Sequence, residues 1–262
     1  MLDQLKAIAL EAGKRMMTFY DGEMGVTYKE DDSPLTLADK ASHDHIVSGL
    51  QASFPGIPIV SEEGEVPPYE DRKNYEQFWL VDPLDGTKEF IKKNGEFTVN
   101  IALIDKNQSI MGVVYIPAQK KMYYAAKGEG AWLSIDGGQP VQLHAKTDFN
   151  PQAMAVSVSR SHPSGALDVF LKKLPGVELK GLGSSLKFCY IAEKQVDFYP
   201  RFGPLMEWDT GAAHIVAEES GAIVLGLDRK PLVYNKPVMK HDQGFIASSC
   251  QSLSNFLFEK VD

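Results

Sequence analysis

Two carboxylates, Asp82 and Asp85, lie three residues apart directly after the apolar run 78–81, which predicts a short buried strand. Pro83 restricts the backbone between them, so we expect both aspartates on a tight turn beyond the end of that strand. Like charges this close repel each other unless a cation lies between them. Carboxylate oxygens suit hard ions such as Mg²⁺ or Mn²⁺, so the pair is a candidate metal site.

The residues after this pair are candidates for contact with a phosphate. A polar segment from Lys88 predicts a short helix, and the backbone N–H groups of Gly86 and Thr87 would lie at its start. Free N–H groups at the start of a helix attract phosphate oxygens. The alternative interpretation is an acidic turn in which an aspartate caps the next helix. The motif alone leaves both interpretations open.

Four more acidic residues are candidates for the same site. Glu62 and Glu63 come after the strand predicted at 57–60, and one of the two is expected to be a solvated charge without a role. Asp39 stands three residues after Thr36 at the start of a predicted helix, where a capping box competes with a catalytic role. Asp209 stands near the start of an Ala-rich helix predicted over 207–220, and an N-cap role is the alternative to metal binding.

Anion-binding residue types are found in the second half of the chain. His162 follows a predicted strand over 153–159, and Ser184 lies in a glycine-bordered segment that leads into a helix with Lys187. Arg201 follows the strand predicted at 196–200, and a guanidinium can hold a phosphate through two hydrogen bonds. Each of these signals is weak alone, because such residues usually serve as caps or solvated charges.

Composition excludes several classes of protein. The chain has 262 residues and a net charge of −8, which argues against affinity for DNA or RNA. Its two cysteines are too few for a disulfide framework, and Cys189 is expected in the core. The six histidines are scattered, so a zinc site is not expected, and a P-loop motif is absent. Charged residues interrupt the amino terminus and no apolar run could span a bilayer, which predicts a cytoplasmic protein. Peripheral contact with the inner face of the membrane stays open, as does the oligomeric state.

The periodicity of apolar residues predicts two lobes. Helices are expected over 2–19 and 36–53, followed by an antiparallel meander from 97 to 126. Strands and helices then alternate to the end of the chain. We therefore predict an α+β lobe over residues 1–146 and an α/β lobe over residues 147–262, built as layers of helices and sheets.

Taken together, the motifs resemble the inositol monophosphatase superfamily of Mg²⁺-dependent, lithium-sensitive phosphatases. The resemblance rests on Glu62-Glu63, on the segment 82–87 (DPLDGT) and on the segment 208–213 (WDTGAA). Within the superfamily, the segments 87–91, 94–100, 183–189 and 199–204 resemble the bacterial 3′(2′),5′-bisphosphate nucleotidases of the CysQ type. The resemblance implies a layered αβαβα sandwich. It carries no role onto the last forty or so residues.

The resemblance also implies a role for each matching residue. Glu62, Asp82 and the Leu84 carbonyl would hold one Mg²⁺, and Asp82, Asp85 and Asp209 a second, with Mn²⁺ as a substitute. Glu62 would also contact a third, weaker ion. Asp39 and Thr87 would be catalytic, positioning and deprotonating the attacking water. The residues expected to bind the substrate are Glu62, Gly86, Thr87, His162, Ser184, Lys187, Arg201 and Asp209.

The activity implied is the hydrolysis of adenosine 3′,5′-bisphosphate (PAP) to AMP and phosphate, with the sulfated form (PAPS) as a further substrate. Two alternatives stay open. One is the same chemistry on an inositol phosphate or a sugar bisphosphate, which would give Lys187 and Arg201 no second phosphate in the inositol case. The other is a non-catalytic protein that senses metal or nucleotide.

Overall fold

The computed structural model describes residues 1–29, 34–160 and 165–261. Within these residues the α-helices are α1 (Leu2–Tyr20), α2 (Leu37–Ser53), α3 (Tyr69–Arg72), α4 (Thr87–Ile91), α5 (Gly165–Lys172), α6 (Leu186–Ala192), α7 (Gly211–Glu219) and α8 (Gln251–Phe258). A single 3₁₀ turn covers Pro117–Gln119. None of the helices in the described part of the chain is both long and apolar enough to cross a membrane.

The strands, in chain order, are β1 (Thr27–Tyr28), β2 (Pro34–Leu35), β3 (Ile59–Ser61), β4 (Gln77–Asp85), β5 (Thr98–Asp105), β6 (Gln108–Ile116), β7 (Lys121–Ala126), β8 (Gly130–Ile135), β9 (Val141–Leu143), β10 (Met154–Ser159), β11 (Val177–Leu182), β12 (Phe198–Arg201), β13 (Leu205–Met206), β14 (Ile223–Gly226), β15 (Lys240–His241) and β16 (Phe245–Ser248). Two pairs, β1 with β2 and β13 with β15, form small separate sheets. The second of these pairs borders the candidate site.

A seven-stranded sheet forms the first half of the protein, in the order β3-β4-β5-β6-β7-β8-β9. All neighbours are antiparallel except β3 and β4, which run parallel. The predicted meander is therefore confirmed. Short turns join its β-branched and aromatic runs, and such connections favour antiparallel neighbours.

A five-stranded mixed sheet forms the second half, in the order β11-β10-β12-β16-β14. Strand β10 is parallel to both of its neighbours, whereas β16 is antiparallel to β12 and β14. The alternation of strands and helices predicted for this half is confirmed. Strand β11 of this sheet was not predicted, nor were the two-residue strands β13 and β15 of this half; in β11 only Leu182 is buried.

Three apolar cores join these elements into five layers. The outer core packs α1 and α2 on one face of the seven-stranded sheet, and the central core packs α6 and α7 between the two sheets. The third core packs α5 and α8 on the far face of the five-stranded sheet. The predicted αβαβα architecture is confirmed. The division at residue 146 stays a prediction, and the central core draws on both sides of it.

The local context of the DPLD motif differs from the prediction. Asp82 and Asp85 do not lie on a turn beyond a strand, because β4 continues through both of them. Asp82 pairs with Asn100 and Asp85 with Thr98, so one extra residue of β4 forms a bulge between them. Pairing with β5 keeps the backbone of residues 82–85 extended. A bulge of this kind re-aims side chains at the end of a strand.

Glycine at position 112 lets α7 approach the seven-stranded sheet. A Cβ atom on Gly112 of β6 would lie 2.5 Å from the Ala212 carbonyl oxygen and 2.7 Å from Ile215 Cγ2. Both neighbours belong to α7, the helix that follows Asp209. The close approach therefore fixes the distance between that helix and the sheet.

We expect Gly112→Ala to destabilise the protein by roughly 1–3 kcal/mol, because α7 would have to shift away from β6. Urea denaturation monitored by circular dichroism measures the change. Gly181→Ala is the matched control, since a Cβ there meets no atom within 4 Å. If both variants unfold at the same urea concentration as the wild type, the approach of α7 is not limited by residue 112.

Candidate active site

Three acidic side chains from separate elements meet at one point. Glu62 directly follows β3, Asp82 lies in β4, and Asp209 lies two residues before α7. One carboxylate oxygen from each lies within 4.8 Å of those of the other two. Parallel pairing of β3 and β4 brings the first two together, and the Glu62 N–H donates to the Val81 carbonyl at 3.1 Å. Among the described residues, this is the group of acids able to hold a metal ion.

The cluster is electrostatically strained. Burial raises the pKa of Asp82 well above its usual value, and the charges of Glu62, Asp85 and Asp209 raise it further. Burial and the charge of Asp85 likewise raise the pKa of Asp209. Asp82 Oδ1 accepts a hydrogen bond from the Leu84 N–H at 3.1 Å, whereas Asp82 Oδ2 is buried without a partner. An unpartnered buried carboxylate oxygen among other carboxylates fits a bound cation.

The donor set at this point suits a hard divalent ion. Its side-chain ligands are all oxygens, with no histidine or cysteine among them in the described ranges. The predicted carbonyl ligand, Leu84, lies in the bulge of β4, and its oxygen lies 3.4 Å from Thr87 Oγ1. The Ser42 hydroxyl donates to the Pro83 carbonyl at 2.7 Å and holds the bulge from α2.

Asp85 links the end of β4 to the segment that leads into α6. Its Oδ2 accepts hydrogen bonds from the hydroxyls of Ser184 at 2.7 Å and Ser185 at 3.0 Å, and from Asn100 Nδ2 at 3.2 Å. The alternative in which an aspartate caps α4 does not hold, because the N-cap is Gly86 and has no capping side chain. Asp85 therefore faces the same cavity as the acid cluster without belonging to its closest group.

Asp39 takes part in the capping box of α2 and also contacts Thr87. Its Oδ2 accepts from the Thr36 N–H at 2.7 Å and from the Thr36 hydroxyl at 2.6 Å, which completes a capping box at the start of α2. Its Oδ1 accepts from Thr87 Oγ1 at 3.2 Å. Burial raises the pKa of Asp39 above its usual value. The capping oxygen and the oxygen that faces Thr87 are thus different atoms.

Lys29 is a contact that the sequence analysis missed. Its Nζ donates to Glu62 at 2.9 Å and to Glu63 at 2.6 Å, and the charge of Glu62 raises the pKa of Lys29 against the opposing effect of burial. Glu63 is therefore ion-paired, which corrects the expectation that one of the two glutamates is a solvated charge. No sequence pattern links Lys29 to residues more than thirty positions away.

A cavity of about 470 Å³ opens beside the acid cluster. It is bordered by residues from both halves of the chain, and the predicted site residues among them are Glu62, Asp82, Leu84, Asp85, Gly86, Thr87, Ser184, Lys187, Arg201 and Asp209. His162 lies outside the described residues. The proposed metal ligands thus border one space together with the serine and the two cations of the second half.

Of the cations of this cavity, Lys187 is buried, Arg201 and Lys240 are partly buried, and Lys88 is exposed. Lys187 Nζ donates to the Ser184 carbonyl and lies 5.3 Å from the centre of the Tyr199 ring, and burial lowers its pKa. Arg201 Nη2 donates to the Pro204 carbonyl at 2.8 Å, while Arg201 Nε is buried without a partner. Ser184 adopts a left-handed backbone conformation with φ of +50°, which sequence reasoning did not detect. Lys88 and Lys240 also border the cavity and were not predicted.

Asp209 lies before α7 and does not cap it. The helix begins at Gly211, four residues later than predicted, and its N-cap is Thr210 without a capping side chain. Asp209 Oδ2 accepts from the Met206 N–H at 3.1 Å. The segment 207–210 is held by Glu207, a buried residue that accepts from the N–H groups of Asn235 and Lys236 at 2.6 and 3.1 Å. A fixed loop of this kind supports the position of Asp209.

Comparison with known proteins decides the family. The sequence model of the inositol monophosphatase family matches residues 1–260. The chain belongs to the inositol monophosphatase family. It is 47% identical over 250 residues to the 3′(2′),5′-bisphosphate nucleotidase CysQ of Escherichia coli, covering 95% of this chain and 99% of that protein. The Salmonella typhimurium protein of the same name is 48% identical over 236 residues, covering 89% and 94%.

Solved structures of the family agree with the fold. The crystal structure of CysQ from Bacteroides thetaiotaomicron superimposes with a TM-score of 0.84 at 37% identity, covering 95% of this chain and 97% of that chain. The inositol monophosphatase from Anabaena gives a TM-score of 0.79 at 24% identity, covering 99% and 94%. At that lower identity the likeness concerns the fold alone.

The strain in the acid cluster leads to a prediction about stability. Because the pKa of Asp82 is raised in the folded protein, the folded chain binds a proton there more readily than the unfolded chain. Without divalent ions, the free energy of unfolding should therefore fall as pH rises from the unfolded pKa of about 3.9 through the raised value. We expect metal-free Asp82→Asn to be more stable than the wild type by roughly 1–3 kcal/mol at pH 8, with a smaller gain at pH 5.

Urea denaturation in EDTA at the two pH values measures this effect. Asp44→Asn, an exposed position on α2, is the matched control and should leave stability unchanged within about 0.5 kcal/mol. A loss of stability in Asp82→Asn at pH 8 would show that the carboxylate is not strained. An equal gain at both pH values would show that its protonation is not the cause.

Proposed function

We propose that this protein is a Mg²⁺-dependent 3′(2′),5′-bisphosphate nucleotidase that hydrolyses PAP to AMP and phosphate and also accepts PAPS. The observation that carries the proposal is the match over 95% of the chain, at 47% identity, to a protein named as such a nucleotidase. The cavity supports it, because the acid cluster shares that space with Lys187 and Arg201. A bisphosphate presents one phosphate to be cleaved and a second that needs cationic partners.

The acidic residues would hold the metal ions. Glu62, Asp82 and the Leu84 carbonyl would bind one Mg²⁺, and Asp82, Asp85 and Asp209 a second, with Glu62 also contacting a third; Mn²⁺ would substitute. Bound ions of this type neutralise the phosphate and stabilise charge on the attacking and leaving oxygens. The three mutually repelling carboxylates Glu62, Asp82 and Asp209 give the protein its affinity for such ions.

Thr87 and Asp39 would prepare the attacking water. The Thr87 hydroxyl donates its proton to Asp39 Oδ1, so its lone pairs remain available to accept a hydrogen bond from a water in the cavity. The water proton would pass to Thr87 as the Thr87 proton moves to Asp39. The raised pKa of Asp39 makes it a stronger base than an exposed aspartate. Activity should therefore fall as pH is lowered through that raised pKa.

The remaining residues would bind the nucleotide. The N–H groups near Gly86 and Thr87 would face the phosphate to be cleaved, as proposed from the sequence. His162, Ser184, Lys187 and Arg201 would bind the nucleoside and the phosphate that stays. Arg201 Nε, buried without a partner, is a donor aimed at no protein atom in the described chain. A substrate oxygen would satisfy it.

Phosphate release from PAP, inositol 1-phosphate and fructose 1,6-bisphosphate, each with Mg²⁺ and with EDTA, tests the proposed function. We expect metal-dependent turnover with a kcat/KM for PAP at least about 100-fold above that for the other two, because the latter lack the nucleoside. A preference for inositol phosphate or the sugar bisphosphate would keep the chemistry and overturn the substrate. Folded protein without turnover of any of the three would indicate a binding protein.

The double role of Asp39 allows a separation of stability from catalysis. We expect Asp39→Asn to lower kcat for PAP by roughly 10²–10⁴-fold, because the general base is lost while an amide oxygen can still cap α2. Thr36→Ala is the matched variant. It removes the capping hydroxyl and should cost about 1 kcal/mol of stability, with kcat changed by less than about fivefold. Steady-state kinetics and urea denaturation of both variants measure the two effects.

The opposite pattern would contradict this division. If Thr36→Ala abolished turnover as fully as Asp39→Asn, the two residues would act on catalysis through the helix start alone. If Asp39→Asn kept full turnover, another group would have to accept the proton.

A further inference from the structure

Lys240 lies next to the candidate site although it comes late in the chain. It belongs to β15, which pairs with β13 so that Lys240 stands opposite Met206. Strand β13 ends three residues before Asp209, whose carboxylate accepts from the Met206 N–H. The Glu207 N–H donates to the Met239 carbonyl at 3.0 Å, which continues the link between the two segments. Lys240 is therefore held by the same loop that carries an acidic residue of the cluster.

Lys240 differs from Lys187 and Arg201 in its bonding, and from Lys88, the fourth cation of the cavity, in that Lys88 is exposed. Lys187 and Arg201 each donate to a carbonyl of their own segment. Lys240 borders the same cavity and is half-buried. Within residues 1–29, 34–160 and 165–261, its ammonium forms no hydrogen bond or ion pair with another protein group.

The Lys240 ammonium lies beside acidic residues of the described chain and pairs with none of them. A substrate anion that binds to it would explain this arrangement. The cavity already carries Glu62, Asp82, Asp85 and Asp209, which metal ions would neutralise. A nucleotide bisphosphate brings a second phosphate that is not cleaved, and this phosphate loses hydration when it enters the cavity. The protein can bind this phosphate tightly only where cations compensate for the lost hydration. Besides the exposed Lys88 of α4, three cations from separate elements, β15, α6 and the end of β12, border the space where it would lie.

We propose that Lys240 is a specificity-determining residue whose ammonium contacts the uncleaved phosphate of the nucleotide bisphosphate. This inference rests on the proposed function and adds a third cation to Lys187 and Arg201. Its chemistry is a charge-assisted hydrogen bond to a phosphate oxygen. A substrate with the same scissile group and no second phosphate makes no such contact. Lys240 thus favours bisphosphates over monophosphates.

The test compares PAP with 3′-AMP, which carries the same 3′-phosphate and lacks the 5′-phosphate. We expect Lys240→Met to raise the KM for PAP by about tenfold, the effect of one partly exposed charge-assisted contact, with kcat changed by less than about twofold. For 3′-AMP we expect both constants to change by less than about twofold. Lys240→Arg should restore most of the affinity for PAP, since it keeps the charge.

Lys172→Met is the matched control, because Lys172 is exposed at the end of α5 on the outer layer. It should leave both substrates unaffected, and the melting temperatures of all variants check that they fold. Equal losses on PAP and 3′-AMP in Lys240→Met would overturn the proposal, and so would an unchanged KM for PAP. Turnover of PAP by the wild type is read independently, so its absence would reject the proposed function and not only the role of Lys240.

Discussion

The repulsion among the carboxylates of Glu62, Asp82 and Asp209, of which Asp82 is buried and the other two are partly buried, is the constraint on which the rest of the structure depends. Charges of one sign lose hydration and gain mutual repulsion when they are gathered in a protein interior. The remaining fold must supply the free energy that holds them together. It does so by placing each acid on a different rigid element: the end of β3, the bulged end of β4 and the loop before α7.

The layered architecture explains how these elements converge. Helix α7 lies between the two sheets and reaches close to the first of them because residue 112 has no side chain. Hydrogen bonds from Ser184 and Ser185 to Asp85 join the start of α6 to the end of β4. The metal-binding candidates of the first half thereby share a cavity with the cations of the second. The cavity proposed to bind a nucleotide bisphosphate lies at that junction between layers.

Asp39 shows how one carboxylate can contact two different groups. The two oxygens of Asp39 serve different partners, one completing the cap of α2 and the other facing Thr87. The capping bonds fix the orientation of the carboxylate and so pre-organise the second oxygen. A residue that stabilises a helix start is therefore also available for proton transfer. Its structural and catalytic interpretations are complementary because they use different atoms.

The sequence by itself determined the features that depend on local physics. Apolar periodicity placed α1, α2 and the meander, the capping pair Thr36 and Asp39 marked the start of α2, and the acid-rich motifs named the metal candidates. Tertiary structure decided what depends on partners distant in sequence. Pairing with β5 turned the predicted turn at Asp82 into a bulge, and Lys29 and Lys240 reached the site through contacts of other segments. Such contacts leave no local pattern, because they are fixed only when the layers assemble.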